Sequence, residues 1–192
     1  MRLSKVDGHR LFRYLAVAAF ALCYVTILLG GNVMASDSGL ACPDWPTCHG
    51  SFFPPLSGAT GVEWSHRLSA LVLSAATLVL AVFAVVWERA RPVLLRLSVG
   101  AVFLVAAQAV LGGVVVDSSL SIGIVLAHFA LATVLFMMLL VLALVANLRT
   151  IPRTCLEWAW TAGDELPPSE RIANAEENPS APAHPGPTSP TR

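Results

Sequence analysis

The sequence predicts an all-α membrane protein: a four-transmembrane-helix bundle built from two helix-pair repeats, with a disordered C-terminal tail. Three observations predict this. The mean hydropathy is +0.70 and only 12% of the 192 residues are charged, an apolar excess that soluble domains do not carry. Four stretches, Leu11–Met34, Val62–Trp87, Leu94–Val116 and Ile122–Leu148, reach the roughly 20 apolar residues that cross a bilayer. Finally, one pattern occurs twice: an apolar helix ending in Gly-Gly, a Ser/Asp-rich outer loop, then a helix bearing a histidine.

Residues 1–10 read as a cytoplasmic segment, residues 11–150 as the membrane domain and residues 151–192 as a cytoplasmic tail. The formal net charge of zero is uninformative, but the positions of the charges are not. Arg2, Lys5, Arg10 and Arg13 precede or open the first span, Arg89, Arg91 and Arg96 flank the second turn, and Arg149 and Arg153 follow the fourth span. By the positive-inside rule both termini are cytoplasmic and the loops near 35–61 and 117–121 face outward. Plasma-membrane placement and a lipid-bilayer environment follow, and no nucleic-acid partner is expected.

The first span ends in Leu29-Gly30-Gly31-Asn32-Val33 and the third in Leu111-Gly112-Gly113-Val114-Val115. Small residues let helices approach closely in membranes, and they also make room for a flat macrocycle beside a helix. Val33-Met34-Ala35 resembles a signal-peptidase site, but the apolar stretch before it exceeds a signal core, so an intact first span is preferred. The first outer loop is longer than the second by roughly 20 residues, an insertion that costs little. Two such units pack as parallel repeats about an axis along the membrane normal. The tail is proline-rich with little apolar content, so it cannot offset the entropy of ordering. Trp158 and Trp160 suit the headgroup level, and His184, set among prolines, is inert.

His66 and His128 are the main candidates for chemistry. Ionisable side chains are costly in hydrocarbon, which makes intramembrane histidines functional-site candidates. If the helices start near Thr60 and Ser121, each histidine lies roughly 10 Å inside its helix. Equal depth on two helices suits axial ligation of a haem iron in a bundle core. The structural alternative is a hydrogen bond from each ring to a neighbouring carbonyl or serine. Zinc lacks a full ligand set.

Glu63 has two readings. Thr60-Gly61-Val62-Glu63 fits a capping box, and Glu63 can pair with Arg67 one turn on. Glu63 also shares a face with His66, where a carboxylate can stabilise positive charge or relay protons. Cys42 and Cys48 bracket Pro43-Asp44-Trp45-Pro46-Thr47 in the first outer loop; a disulfide between them would be structural or redox-active. Cys23 and Cys155 are expected to be unpaired. Asp37, Asp44 and Asp117 read as ordinary solvated loop residues, and Gln108 as an interhelical hydrogen bonder.

The segments Leu29-Gly30-Gly31, Ser38-Gly39-Leu40-Ala41-Cys42-Pro43-Asp44-Trp45-Pro46-Thr47-Cys48-His49-Gly50 and Glu63-Trp64-Ser65-His66-Arg67 closely resemble the haem A synthase family over about residues 11–148. The resemblance implies oxidation of one ring methyl of haem O to the formyl group of haem A, through alcohol and hydrated-aldehyde stages. It implies His66 and His128 as axial ligands of the substrate haem and Glu63 as the essential carboxylate. It implies Cys42–Cys48 as an outer-loop disulfide assisting electron delivery or haem transfer.

Implied partners are a haem O synthase as supplier and haem-copper oxidase assembly as consumer. Typical family members have eight spans in two related halves, the second holding a b-type haem. This sequence resembles the half-size, four-span members and matches the first, catalytic half, and a homodimer could supply a second bundle and a haem b site. Two competing classes remain: a non-catalytic b-type haem carrier or electron-transfer protein, which needs the histidines but neither Glu63 nor the cysteines, and a quinone-linked thiol oxidoreductase using Cys42 and Cys48.

Overall fold

The computed structural model describes residues 5–148, which belong to one compact unit. The expectations for the tail, with Cys155, Trp158, Trp160 and His184, lie outside the described residues. Four helices follow in order: α1 Lys5–Ala35, α2 Gly58–Trp87, α3 Pro92–Asp117 and α4 Ile122–Asn147. All four are long and apolar enough to cross a membrane. The fold is the expected all-α four-helix membrane bundle.

The helix ends differ from expectation at two places. The segment assigned to residues 1–10 is helical from Lys5. Its first turns are packed: Gly8 abuts the Trp87 ring, His9 Nδ1 lies 2.7 Å from Glu88 Oε1, and Phe12 is fully buried. Helix α2 begins at Gly58 with Ser57 as N-cap. Thr60 is therefore inside the helix and the capping-box reading of Glu63 is incorrect. Helix α3 opens on Pro92, where a missing N–H costs nothing and the fixed φ suits the first turn.

Each helix packs against two neighbours. The close approaches run α1 with α2, α2 with α3, α3 with α4 and α4 with α1, and among the described residues the diagonal helices do not approach backbone to backbone. The histidine-bearing helices α2 and α4 thus stand at opposite corners of a square.

One seam per helix faces the centre, spaced alternately by four and three residues. On α1 it is Phe12, Ala16, Ala19, Cys23, Thr26, Gly30 and Val33; on α3 it is Leu94, Ser98, Ala101, Val105, Gln108 and Gly112. On α2 it runs Glu63, His66, Ala70, Leu73, Thr77, Leu80, Ala84, and on α4 His128, Ala132, Leu135, Leu139, Leu142, Ala146. This is the seam spacing of helices packed as in coiled-coil-like bundles.

The seams change character along the bundle. Around the α2–α3 turn they supply Phe12, Leu80, Leu94, Leu139 and Leu142, all at most 1% exposed, and the centre is solid. Toward the 36–57 loop they supply threonine, glycine, glutamine, glutamate and histidine, and the centre opens into a cavity. The outward faces stay apolar, with Tyr14, Leu28, Leu71, Leu78, Phe103, Val110 and Met137 exposed as lipid-facing residues should be.

At the solid end, Glu88 is buried in the α2–α3 turn. It meets His9 on one side and Arg91 Nη1 at 3.3 Å on the other, and Arg91 also donates to the Val145 carbonyl at 3.1 Å. This cluster ties α1, the turn and α4 together. Arg91→Met should lower stability by about 2–4 kcal/mol, because a buried carboxylate loses its cation. A melting curve in detergent checks this; an unchanged midpoint would refute the role.

Candidate functional site

The cavity has a volume of about 520 Å³, within the usual range of small-molecule sites. His66 and His128 both line it, with Gly30, Gly31 and Gly112, the apolar Val105, Ala109 and Leu135, and the loop residues Trp45 and Pro46. The histidines lie eight and six residues after the first residues of α2 and α4 (positions 58 and 122). They stand at similar depth on diagonal walls.

Each histidine faces a glycine of its own helix pair. A Cβ built on Gly30 would lie 2.9 Å from His66 Cε1, and one on Gly112 would lie 3.4 Å from His128 Cε1. The repeated Gly-Gly pattern is thus the notch into which each imidazole fits. Gly113 faces the Trp45 ring instead, at 3.1 Å from a built Cβ. The two glycines of the second pair thus accommodate an imidazole and the loop indole.

The hydrogen bonds of the rings bear on metal binding. His66 Nδ1 lies 3.0 Å from the Thr26 carbonyl. A carbonyl only accepts, so Nδ1 carries the proton and Nε2 keeps its lone pair. An outer N–H held by a carbonyl is the usual second contact of a metal-ligating histidine. His128 Nδ1 is buried with no hydrogen-bond partner in the protein. Among the described residues no three of His, Cys, Asp and Glu converge to hold a bare metal ion. Two imidazoles on opposite walls of an apolar, glycine-notched cavity fit a group that brings its own equatorial ligands.

The roof of the cavity is the 36–57 loop. Cys42 and Cys48 form a disulfide with Cα atoms 4.6 Å apart, packed with Trp64 of α2. Arg67 is the clamp beneath it. Its Nη1 donates to the carbonyls of Asp44 (2.6 Å) and Thr47 (2.7 Å), and its Nη2 to the carbonyl of Cys42 (2.8 Å) and to Glu63 Oε1. Glu63, 3% exposed, accepts the Cys42 amide on Oε2 at 2.7 Å. The Glu-x-x-His-Arg motif therefore does two things at once. His66 faces the cavity centre, and Glu63 with Arg67 grips the loop that covers it.

Asp44 is not the ordinary solvated residue that the sequence suggested. Its carboxylate accepts the Thr47 hydroxyl and the amides of His49 (2.6 Å) and Gly50 (2.9 Å). The Thr47 bond first, then the amides, hold its pKa down from 3.8 to about 2. A carboxyl depressed in the folded state stabilises above its unfolded value and loses that contribution as pH falls. The His49 and Gly50 amide proton resonances should therefore move as pH falls through about 2; fixed resonances would contradict the turn.

The sequence singled out both histidines, Glu63 and the cysteine pair, which the structure places at the cavity and its roof. It did not find the Arg67 clamp on three loop carbonyls, the Thr26 carbonyl or the Glu88 cluster. Arg67 carried a signal, as a cation one residue past an intramembrane histidine, but its partners are backbone atoms that no side-chain pattern marks. Gln108 is an interhelical hydrogen bonder as expected, its Nε2 donating to the His128 carbonyl at 3.0 Å.

Fold and site together define a four-span membrane protein with paired intramembrane imidazoles beneath a disulfide-bonded outer loop. Residues 13–160 match the family described as cytochrome oxidase assembly protein, and the chain belongs to that family. It is similar to the heme A synthase of Bacillus pumilus (33% identical over 148 residues, 75% of this chain and 48% of the relative). It is similar also to those of Geobacillus thermodenitrificans (34%; 76% of this chain, 45% of the relative) and Lysinibacillus sphaericus (34%; 73% and 46%). The chain spans about half the length of the relatives it matches.

Proposed function

We propose that this protein acts in haem A formation, oxidising the ring methyl of haem O to a formyl group for haem-copper terminal oxidases. It is read as lying in the plasma membrane with both termini cytoplasmic. The observation that carries the proposal is one cavity lined by two imidazoles on diagonal helices, roofed by a loop that Glu63 and Arg67 hold. The bound haem would be the substrate and would supply the redox-active iron and the methyl carbon.

The chain's own residues have separable tasks. His66 and His128 bind and orient through Nε2, with His66 fixed by Thr26. Gly30 and Gly112 leave room for the rings. The apolar walls and the disulfide loop limit water. Glu63 is the carboxylate at the roof of the site, where it would steady positive charge developing on the ligand edge. A haem O synthase would supply the substrate, and a second copy of the chain could contribute another four-helix bundle with a haem b site.

A non-catalytic b-type haem carrier is the second reading. It is favoured by one observation: both Glu63 oxygens are engaged in holding the loop. Coexpression with a haem O synthase, followed by pigment extraction and chromatography, separates the two. Haem A in the extract, lost in Glu63→Gln while haem stays bound, supports the enzyme. Haem O alone, at full occupancy, supports the carrier. Protein free of pigment despite ample haem would sink both.

A further inference from the structure

The two halves of the bundle treat their histidines differently. Thr26 and Gln108 hold the same place in the repeat, each four residues before the glycine that faces a histidine. In the first half the Thr26 hydroxyl turns back to the Leu22 carbonyl at 2.9 Å, and the Thr26 carbonyl takes His66 Nδ1–H. In the second half the side chain itself crosses to the neighbouring helix. Gln108, 9% exposed, donates Nε2 to the His128 carbonyl at 3.0 Å.

Only the amide nitrogen can donate to a carbonyl, so this bond fixes which way the amide points. Its Oε1 is then a buried acceptor without a hydrogen-bond partner in the protein. His128 Nδ1 is a buried ring nitrogen in the same condition. One is an acceptor, and the other is a donor whenever Nε2 keeps its lone pair for the cavity. The Gln108 amide is already held at the main-chain carbonyl of His128.

We infer that Gln108 is the positioning residue of His128: its Oε1 receives the Nδ1 proton through one shared water, which fixes the tautomer that presents Nε2 to the cavity. The water donates to Oε1 and accepts from Nδ1–H, and so satisfies two groups that are costly to bury unpaired. The inference rests on the reading of His66 and His128 as iron ligands. It makes the two ligands inequivalent. His66 is set by a helix carbonyl that no side-chain change removes, whereas His128 is set by one replaceable amide and is the adjustable member of the pair.

The test is titration of the full-length protein in detergent with ferric protoporphyrin IX, reading affinity, the absorption spectrum and the reduction potential. Gln108→Met keeps the volume and removes both hydrogen bonds. It should weaken binding by about tenfold, the lower end for loss of an outer partner of a metal ligand. It should also raise the potential, because an imidazole whose N–H is no longer accepted donates less to the ferric iron. Gln108→Glu keeps an acceptor; it should recover the affinity and bring the potential to or below the wild-type value.

Wild-type affinity and potential in Gln108→Met would overturn the inference. So would a potential above wild type in Gln108→Glu, a result that can be read even if the methionine variant fails to fold. His128→Ala keeps the two questions apart. If it binds haem with an unchanged spectrum, the ligand reading itself fails. If it loses the spectrum while both Gln108 variants match wild type, only the role of Gln108 fails.

Discussion

Replacing Arg67 with methionine is expected to lower the stability of the protein by about 3–5 kcal/mol, the range for removing one partner of a buried ion pair. The Arg67 and Glu63 side chains are only 12% and 5% exposed, so water cannot take over the lost contacts. Three loop carbonyls, those of Cys42, Asp44 and Thr47, lose their donor together. Glu63 is left as a buried carboxylate with only the Cys42 amide to answer it.

Lysine should rescue little, because a single ammonium cannot reproduce a planar fork that reaches three carbonyls and a carboxylate. Adding Glu63→Gln to Arg67→Met should recover part of the loss, since the uncompensated charge is then gone. Melting midpoints in detergent for wild type, Arg67→Met, Glu63→Gln and the double variant close the cycle, and proteolysis of the 36–57 loop reports its release. A methionine variant that melts with wild type and keeps a protected loop would show that the clamp carries no weight.

The fold was legible where physics leaves a one-dimensional trace. Lipid requires about 20 apolar residues per helix, so all four spans could be located, with only the starts of α1 and α2 placed too late. The inward seams were not legible, because the faces toward lipid and toward neighbouring helices are both apolar and amphipathic contrast vanishes. Leu71 and Leu73 look alike in the sequence, yet one is 65% and the other 3% exposed.

The site was legible at the residues that break the apolar rule. His66, His128 and Glu63 stand out because they are costly in a membrane. The capping-box reading failed because the helix starts at Gly58, two residues before the threonine that would have capped it. Arg67, Asp44 and Glu88 were under-read for a common reason: each acts through main-chain atoms or across long sequence separations. The His9–Glu88 contact joins residues 79 apart. Nothing local in the sequence announces such a partner, so residues 1–10 read as a cytoplasmic segment, although the helix α1 already begins at Lys5.

Gly30→Ala is expected to weaken haem binding by about tenfold or more while leaving the bundle folded. The added methyl would sit 2.9 Å from His66 Cε1 and 3.3 Å from Nδ1. An imidazole free to swing would yield cheaply, but Nδ1 is tied to the Thr26 carbonyl at 3.0 Å. The ring must then leave its rotamer, at about 0.5–1.5 kcal/mol, and give up that bond, at about 0.5–1.5 kcal/mol more. The sum is about one to two powers of ten in affinity.

The backbone change works in the opposite direction. Alanine is favoured over glycine inside a helix by about 1 kcal/mol. This gain offsets part of the ring's cost, so weaker binding with a melting midpoint that shifts little is the signature of a notch, and a packing defect would lower both strongly. Gly112→Ala is the internal control. Its methyl would meet His128 Cε1 at 3.4 Å, an ordinary contact that leaves the ring where it is. Titration with ferric protoporphyrin IX should find that variant close to wild type. Equal losses in the two alanine variants would show that the glycines serve helix packing alone, and an unaffected Gly30→Ala would mean that His66 does not grip the iron from the position it holds here.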